Sequence, residues 1–192
     1  NIFREYDIRG VYPTDINEEV AYTIGRSYGS YIQEKLKRNI CGVGRDNRLS
    51  SPSLSKELIK GIVDSGCNVV DFGLVTTPMY YYAWDKLNIK CGIMITASHN
   101  PYHDNGIKLI ANNGDKFADE VTSELENLIE QNNFAFDKDK LGKVWEDNSI
   151  KEAQGSIQFE LKPGTGSVYS YLLIEELESF WIFFLYSTHS LC

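Results

Sequence analysis

Three things are scarce in this sequence. Positive charge is the first: 19 Lys and Arg against 27 Asp and Glu give a formal net charge of -8. Nucleic acid and anionic membrane both call for a basic patch, so neither is expected as a partner. A small anionic ligand stays open, because it answers to local donors and not to the sum. Cysteine is the second. There are four, Cys41, Cys67, Cys91 and Cys192, and none forms a C-x-x-C pair. The first three each open an apolar segment, so they read as small core residues in a reducing, cytoplasmic setting. Long apolar runs are the third. The strongest, "FWIFFLY" at 180–186, is far too short to span a bilayer and follows Glu175, Glu176 and Glu178. Internal repeats, low-complexity tracts and a signal peptide at the start are also lacking. The sequence opens on Asn1 with no methionine, and its true start is expected to be missing or processed.

What is present is a globular composition. The 192 residues are 42% hydrophobic and 24% charged, enough for a real core and one domain with an appendage. Asn17 has the chemistry of an N-cap, with Glu18 and Glu19 in the first turn. Val20, Ile24, Tyr28, Ile32 and Leu36 then form one apolar stripe, so a helix is predicted to about Arg38. "ICGVG" reads as a strand and "RDNRLSSP" as the loop after it. Ser51 is expected to cap the next helix, with Pro52 in its first position and Gly66 closing it. "NVVDFG" is the next strand, and Thr76 or Thr77 caps the helix "TTPMYYYAWDKL". "CGIMIT" is a continuous apolar run, expected as a strand covered on both faces. "GIKLIA" follows as a strand, "NNGD" as a turn and "FADEVTSELENLIEQ" as a helix. Strands alternating with helices predict an α/β sandwich, mostly parallel, with helices on both faces.

Chemistry in such sheets gathers beyond the carboxyl ends of the strands. There the sequence places Arg45, Asp46 and Arg48 after one strand, and Ser98, His99 and Asn100 after another. Tyr6 and Arg9 lie near the first segment, and Lys108 sits in the strand after the serine. Cations and helix N-termini stabilise phosphate oxygens. A serine hydroxyl is a weak nucleophile without help. Acyl transfer fits less well, because adjacent Ser98 and His99 side chains usually diverge and no G-x-S-x-G elbow surrounds the serine. Phosphoryl transfer relies on positioning and positive charge, which suits Arg9, Arg45 and Lys108. The plainer readings are a helix-capping Ser98, a solvated His99 and His103, an exposed Lys108 over apolar surface, and Arg45 and Arg48 as loop structure salt-bridged to Asp46.

"FREYDIRG", "VGRDNRLSSP", "DFGLVTTP" and "GIMITASHNPYHDNGIKL" occur in the order and spacing of the first domain of the α-D-phosphohexomutases, the phosphomannomutase/phosphoglucomutase enzymes, over roughly Ile2 to Ala135. The resemblance implies a three-layer α/β/α sandwich with a mostly parallel, mixed sheet. It implies interconversion of hexose 1-phosphate and hexose 6-phosphate, of mannose or glucose, through a phosphoserine at Ser98 and a bisphosphate intermediate. Ser98, His99, Lys108 and Arg9 would be catalytic. Tyr6, Arg9, Arg45 and Lys108 would bind substrate. Mg2+ would be held partly by the oxygen of phosphorylated Ser98. "FREYDIRG" resembles the mannose and glucose mutases more than the glucosamine mutases. The alternative is a non-catalytic module that binds a sugar phosphate or a protein.

The sequence also departs from that family. Its D-G-D-x-D-R metal loop is absent, as are its later sugar-recognition and phosphate-binding loops, and "EDNS" at 146–149 is no substitute. These residues alone are therefore expected to be inactive as a mutase. Residues 1–135 read as the domain, 136–153 as a polar linker, and 154–192 as an atypical tail of unknown structure, from a truncated or frame-shifted coding region.

Overall fold

A computed structural model describes residues 2–3, 8–110, 119–131, 134, 140–147, 157–161 and 168–172. The chain divides into two compact units, Asn1–Asp147 and Asn148–Cys192. Tyr6, the 112–115 turn and the "FWIFFLY" segment lie outside the described residues.

In the first unit β1 (Ile8–Val11) precedes α1 (Glu18–Glu34), β2 (Ile40–Arg45), α2 (Ser51–Asp64), β3 (Asn68–Leu74), α3 (Thr77–Lys86), β4 (Gly92–Ile95), β5 (Asp104–Ile110), α4 (Asp119–Glu130) and β6 (Val144–Glu146). α1 starts where the sequence places it, because the Asn17 side chain accepts from the Val20 amide at 3.0 Å. α3 starts on Thr76, whose hydroxyl accepts from the Met79 amide at 3.4 Å. Gly66 follows the end of α2 with φ +88, the left-handed geometry that glycine adopts without a Cβ penalty. The expected cap of α2 is displaced by one residue. Ser50 is the N-cap, with no side-chain cap bond, and Ser51 is the first helical residue. Its hydroxyl donates to Asp46 Oδ1 at 2.6 Å and accepts from Asn105 Nδ2 at 3.0 Å, so its oxygen is engaged away from the helix amides.

The sheet runs β1-β5-β4-β2-β3-β6. β2 pairs in parallel with β3 and β4, and β3 with β6. β5 alone runs against its neighbours β4 and β1, because the short connection from Ile95 to Asp104 cannot carry a crossover. This is the mixed, mostly parallel sheet expected from the sequence. Part of the segment read as a linker extends it. Val144–Glu146 line up on Val69–Asp71, and Lys143 is fixed by its amide donating to Asn68 Oδ1 at 2.9 Å. The strand is only three residues long and exposed, Val144 and Trp145 included, too short for periodicity to mark it.

One face of the sheet carries Cys41, Val43, Val69, Ile93, Ile95, Ile107 and Leu109, packed with Ala21, Ile24, Tyr28 and Ile32 of α1, Leu54, Leu58 and Ile62 of α2, and Leu125 of α4. Each Val, Ile or Leu among them contributes roughly 1.5–3 kcal/mol by leaving water. Cys41, Cys67 and Cys91 are buried and free, as core residues should be. α1 and α2 cross closely because Gly25 lies under the Leu58 carbonyl and Gly61 under the Tyr22 carbonyl. On the other face, Tyr80 of α3 covers Gly44 and Gly92 and donates to the Gly42 carbonyl at 3.1 Å. The result is three layers, α/β/α.

In the second unit, β7 (Ile157–Leu161) and β8 (Val168–Leu172) pair antiparallel, with Ile157 opposite Leu172 and Leu161 opposite Val168.

Candidate functional site

Register brings two loops to one rim. Arg45, the last residue of β2, pairs with Ile95, the last residue of β4, and the Asp46 amide donates to the Ile95 carbonyl at 2.9 Å. The loop from Asp46 to Ser50 therefore lies beside the loop from Thr96 to His103. The antiparallel course of β5 returns Asp104 to the same rim, and β1 ends there too, with Val11 opposite Asp104.

The serine loop is built from consecutive turns. The Thr96 amide makes the last ladder bond, to the Gly106 carbonyl at 3.0 Å. The Ser98 amide donates to Thr96 Oγ1 at 2.9 Å. The Asn100 amide then donates to the Ala97 carbonyl at 3.0 Å, and the Asp104 amide to the Pro101 carbonyl at 3.1 Å. No helix begins here, so Ser98 caps nothing. Ser98 has φ +57, a left-handed conformation that costs a residue with a Cβ about 1–2 kcal/mol. Ala97 is buried beneath it and Ser98 is exposed. The left-handed turn also places neighbouring side chains on one side. Ser98 Oγ lies 3.3 Å from His99 Nδ1, where the sequence leads one to expect divergence.

Apart from Tyr6, which lies outside the described residues, each residue singled out by sequence has a definite position. Arg9, opposite Gly106 in the sheet, donates from Nη1 to Asn100 Oδ1 at 2.8 Å. Asn100 passes the contact on by donating to Asp104 Oδ2 at 2.9 Å. Arg9 thus meets the serine loop through Asn100. Lys108, opposite Met94, is half-buried, and its ammonium lies 5.7 Å from the centroid of the Tyr81 ring. Arg45 is half-buried and donates weakly to the Asp46 carbonyl at 3.5 Å. His103 sits 3.5 Å from Asp104 Oδ1. The contacts thus join Ser98 to His99 and tie Arg9 to the same loop, while Lys108 and Arg45 occupy the strands behind it.

A polar layer underlies the loop that the apolar pattern does not announce. Asn105, fully buried, donates to Ser50 Oγ at 2.8 Å and to Ser51 Oγ at 3.0 Å. Ser51 donates to Asp46, and Asp46 Oδ2 accepts from Arg48 Nε at 3.2 Å. The Arg48 guanidinium in turn donates to the carbonyls of Ser98, Asn100, Pro101 and Asp104. The signal in the sequence was the crowding of Asp46, Arg48, Ser50, Ser51 and Asn105 at neighbouring strand ends, with no apolar surface for them to cover.

A divalent cation fits poorly among these groups. Both Asp46 oxygens accept hydrogen bonds from within the loop, from Ser51 and Arg48. Asp104 is engaged by Asn100. Among the described residues no three His, Cys, Asp or Glu side chains converge as ligands.

The site is thus an α/β/α domain that raises one exposed, left-handed serine from the end of a buried strand, over a polar layer of arginine and amide side chains. Comparisons with known proteins give its family. Residues 1–136 match the phosphoglucomutase/phosphomannomutase, alpha/beta/alpha domain I, so the chain belongs to the phosphoglucomutase/phosphomannomutase family. It is 47% identical over 143 residues to a phosphomannomutase/phosphoglucomutase of Pseudomonas syringae pv. tomato, covering 74% of this chain and 30% of that protein. It is 41% identical over 133 residues to a phosphomannomutase of Klebsiella pneumoniae, covering 69% of this chain and 82% of that one. A crystal structure of a phosphoglucomutase/phosphomannomutase family protein from Burkholderia thailandensis superposes with a TM-score of 0.71 at 29% identity, covering 83% of this chain and 36% of that one. The chain thus spans about a third of the length of several relatives that it matches.

Proposed function

We propose that Ser98 is the phosphoryl carrier of a hexose-phosphate isomerisation. Phosphorylated Ser98 gives its phosphoryl group to the free hydroxyl of a hexose 1- or 6-phosphate. The serine P–O bond breaks, a sugar P–O bond forms, and the hydroxyl proton leaves to a base. The bisphosphate turns around, and its other phosphoryl group returns to Ser98, releasing the isomer. Mannose and glucose phosphates are the substrates implied by the names of the relatives.

The observation that carries this reading is the exposed, left-handed Ser98 with its hydroxyl 3.3 Å from His99 Nδ1. The imidazole can hold or return the Ser98 proton as the phosphoryl group departs and arrives. Arg9 brings positive charge to the loop through Asn100, and Lys108, Arg45 and Tyr6 are taken from the resemblance as the rest of the catalytic and substrate-binding set. Mg2+ is implied by the resemblance, and phosphorylated Ser98 would contribute one oxygen to it. The 192 residues contain no D-G-D-x-D-R segment, so isomerisation by this polypeptide alone is expected near zero. With positioned charge incomplete, each transfer would be slow, so the expected activity is a single, slow phosphorylation of Ser98 over a long incubation rather than turnover.

The test is transfer of labelled phosphorus from glucose 1,6-bisphosphate, with Mg2+ present, followed by peptide mapping. Label on the peptide carrying Ser98, lost in Ser98→Ala, supports the proposal. Label on another residue, or a folded protein that takes none, contradicts it and favours a non-catalytic binding module.

A further inference from the structure

Four carbonyl oxygens of the serine loop converge on one side chain. Arg48 donates from Nη2 to Ser98 O at 3.1 Å and Asn100 O at 2.9 Å, and from Nη1 to Pro101 O at 2.6 Å and Asp104 O at 3.1 Å. With Nε on Asp46, every nitrogen of the guanidinium is in use. We propose that Arg48 is the positioning residue of the serine loop. It holds Ser98 in its left-handed conformation and draws the loop's carbonyl dipoles away from the phosphoryl group that Ser98 carries. The second half of this statement rests on the phosphoryl-carrier reading; the first does not.

The physical case has three parts. A left-handed conformation is disfavoured for a residue with a Cβ, and the loop itself offers only turn hydrogen bonds to offset this. Bonds to a charged donor are stronger than neutral ones, and here one of them ends on the carbonyl of Ser98 itself. Second, the clamp is anchored from below. Asp46 fixes Arg48, Ser51 fixes Asp46, and fully buried Asn105 fixes Ser51. The position of Ser98 is thereby referred to the ends of β2 and β5. Third, a phosphoryl group on Ser98 adds between one and two negative charges. Carbonyl oxygens facing it would repel it, and the guanidinium gathers and neutralises them. Lysine cannot substitute, because a compact ammonium with three donors cannot serve four carbonyls and the Asp46 carboxylate at once.

The experiment compares Arg48→Ala and Arg48→Lys with wild type by amide hydrogen exchange and by Ser98 phosphoryl uptake from glucose 1,6-bisphosphate. Exchange at the Asn100 and Asp104 amides is expected to rise about tenfold or more in both variants. The Ile24 amide in α1 should be unchanged, which reports an intact fold. Added guanidinium ion, far below unfolding concentrations, should restore slow exchange to Arg48→Ala. Uptake should fall roughly a hundredfold, the usual effect of misplacing a reacting group by about 1 Å, and guanidinium should restore part of it. Loop amides as slow as wild type in both variants would overturn the proposal. Uptake at the wild-type rate from a loosened loop would overturn its second half. Wild-type protein that never accepts a phosphoryl group would instead defeat the carrier reading, leaving the exchange data to decide the clamp. If Arg48→Ala does not fold, Arg48→Lys carries both measurements.

Discussion

Arg9 Nη1 donates to Asn100 Oδ1 at 2.8 Å across 91 residues of sequence, tying the edge strand β1 to the loop that carries Ser98. The bond is charge-assisted and partly shielded from water, so it belongs to the stronger kind.

Asn100→Ala removes both ends of this link, to Arg9 and to Asp104. Ser98 phosphoryl uptake is expected to fall about tenfold to a hundredfold. Thermal stability should change little, because the loop is at the rim and the core is untouched. A stopped-time uptake assay beside a melting curve separates the two effects.

Tyr28→Phe tests the core beneath the sheet. The Tyr28 hydroxyl lies 3.1 Å from the Gly92 carbonyl and 3.2 Å from the Ile110 carbonyl, fully buried. Its loss leaves these carbonyls without that donor, and urea unfolding should show a loss of about 1–3 kcal/mol.

Gly61→Ala addresses the helix crossing. A methyl group there would run into the Tyr22 carbonyl, and backbone cannot swing aside as a side chain can. A loss of about 1–3 kcal/mol or more is expected by chemical denaturation. The exposed helical position Lys56, changed to Ala, should leave stability within about 0.5 kcal/mol.

Alkaline pH should weaken the fold. Burial, aided by its neighbour Cys67, pushes the Cys91 thiol from 9.0 to about 11. Burial likewise pushes the Tyr28 phenol well above its ordinary value. The folded state keeps these groups neutral, whereas the unfolded chain lets them ionise. The stability is thus complete below about pH 9 and is lost as pH rises toward about 11 for Cys91. The slope is about 1.4 kcal/mol per pH unit for each such group. Cys91→Ala should make the decline shallower. A urea midpoint that stays flat from pH 9 to 11 would contradict this.

Local chemistry was the part of the fold that could be read directly. Asn17, Thr76 and Gly66 act through neighbours three or four positions away, and the stripe Ile24, Tyr28 and Ile32 repeats with the helix. The serine loop was legible for the same reason. Long-range placement was not. Ser51 looked like a cap, but its oxygen accepts from Asn105, 54 residues away, while its proton goes to Asp46. Val144–Glu146 looked like linker because three exposed residues are too short a run for periodicity to mark. Arg45 and Arg48 were both read as loop structure salt-bridged to Asp46, and Arg48 does pair there, but nothing in its spacing says that its other nitrogens reach carbonyls 50 to 56 residues away.

The most direct measurement is the intact mass of the purified protein after incubation with glucose 1,6-bisphosphate and Mg2+, wild type beside Ser98→Ala. The expected result is a species heavier by one phosphoryl group in wild type and none in Ser98→Ala. A folded wild-type protein that stays at its unmodified mass, or a Ser98→Ala protein that gains the group equally, would contradict the assignment of Ser98 as the carrier.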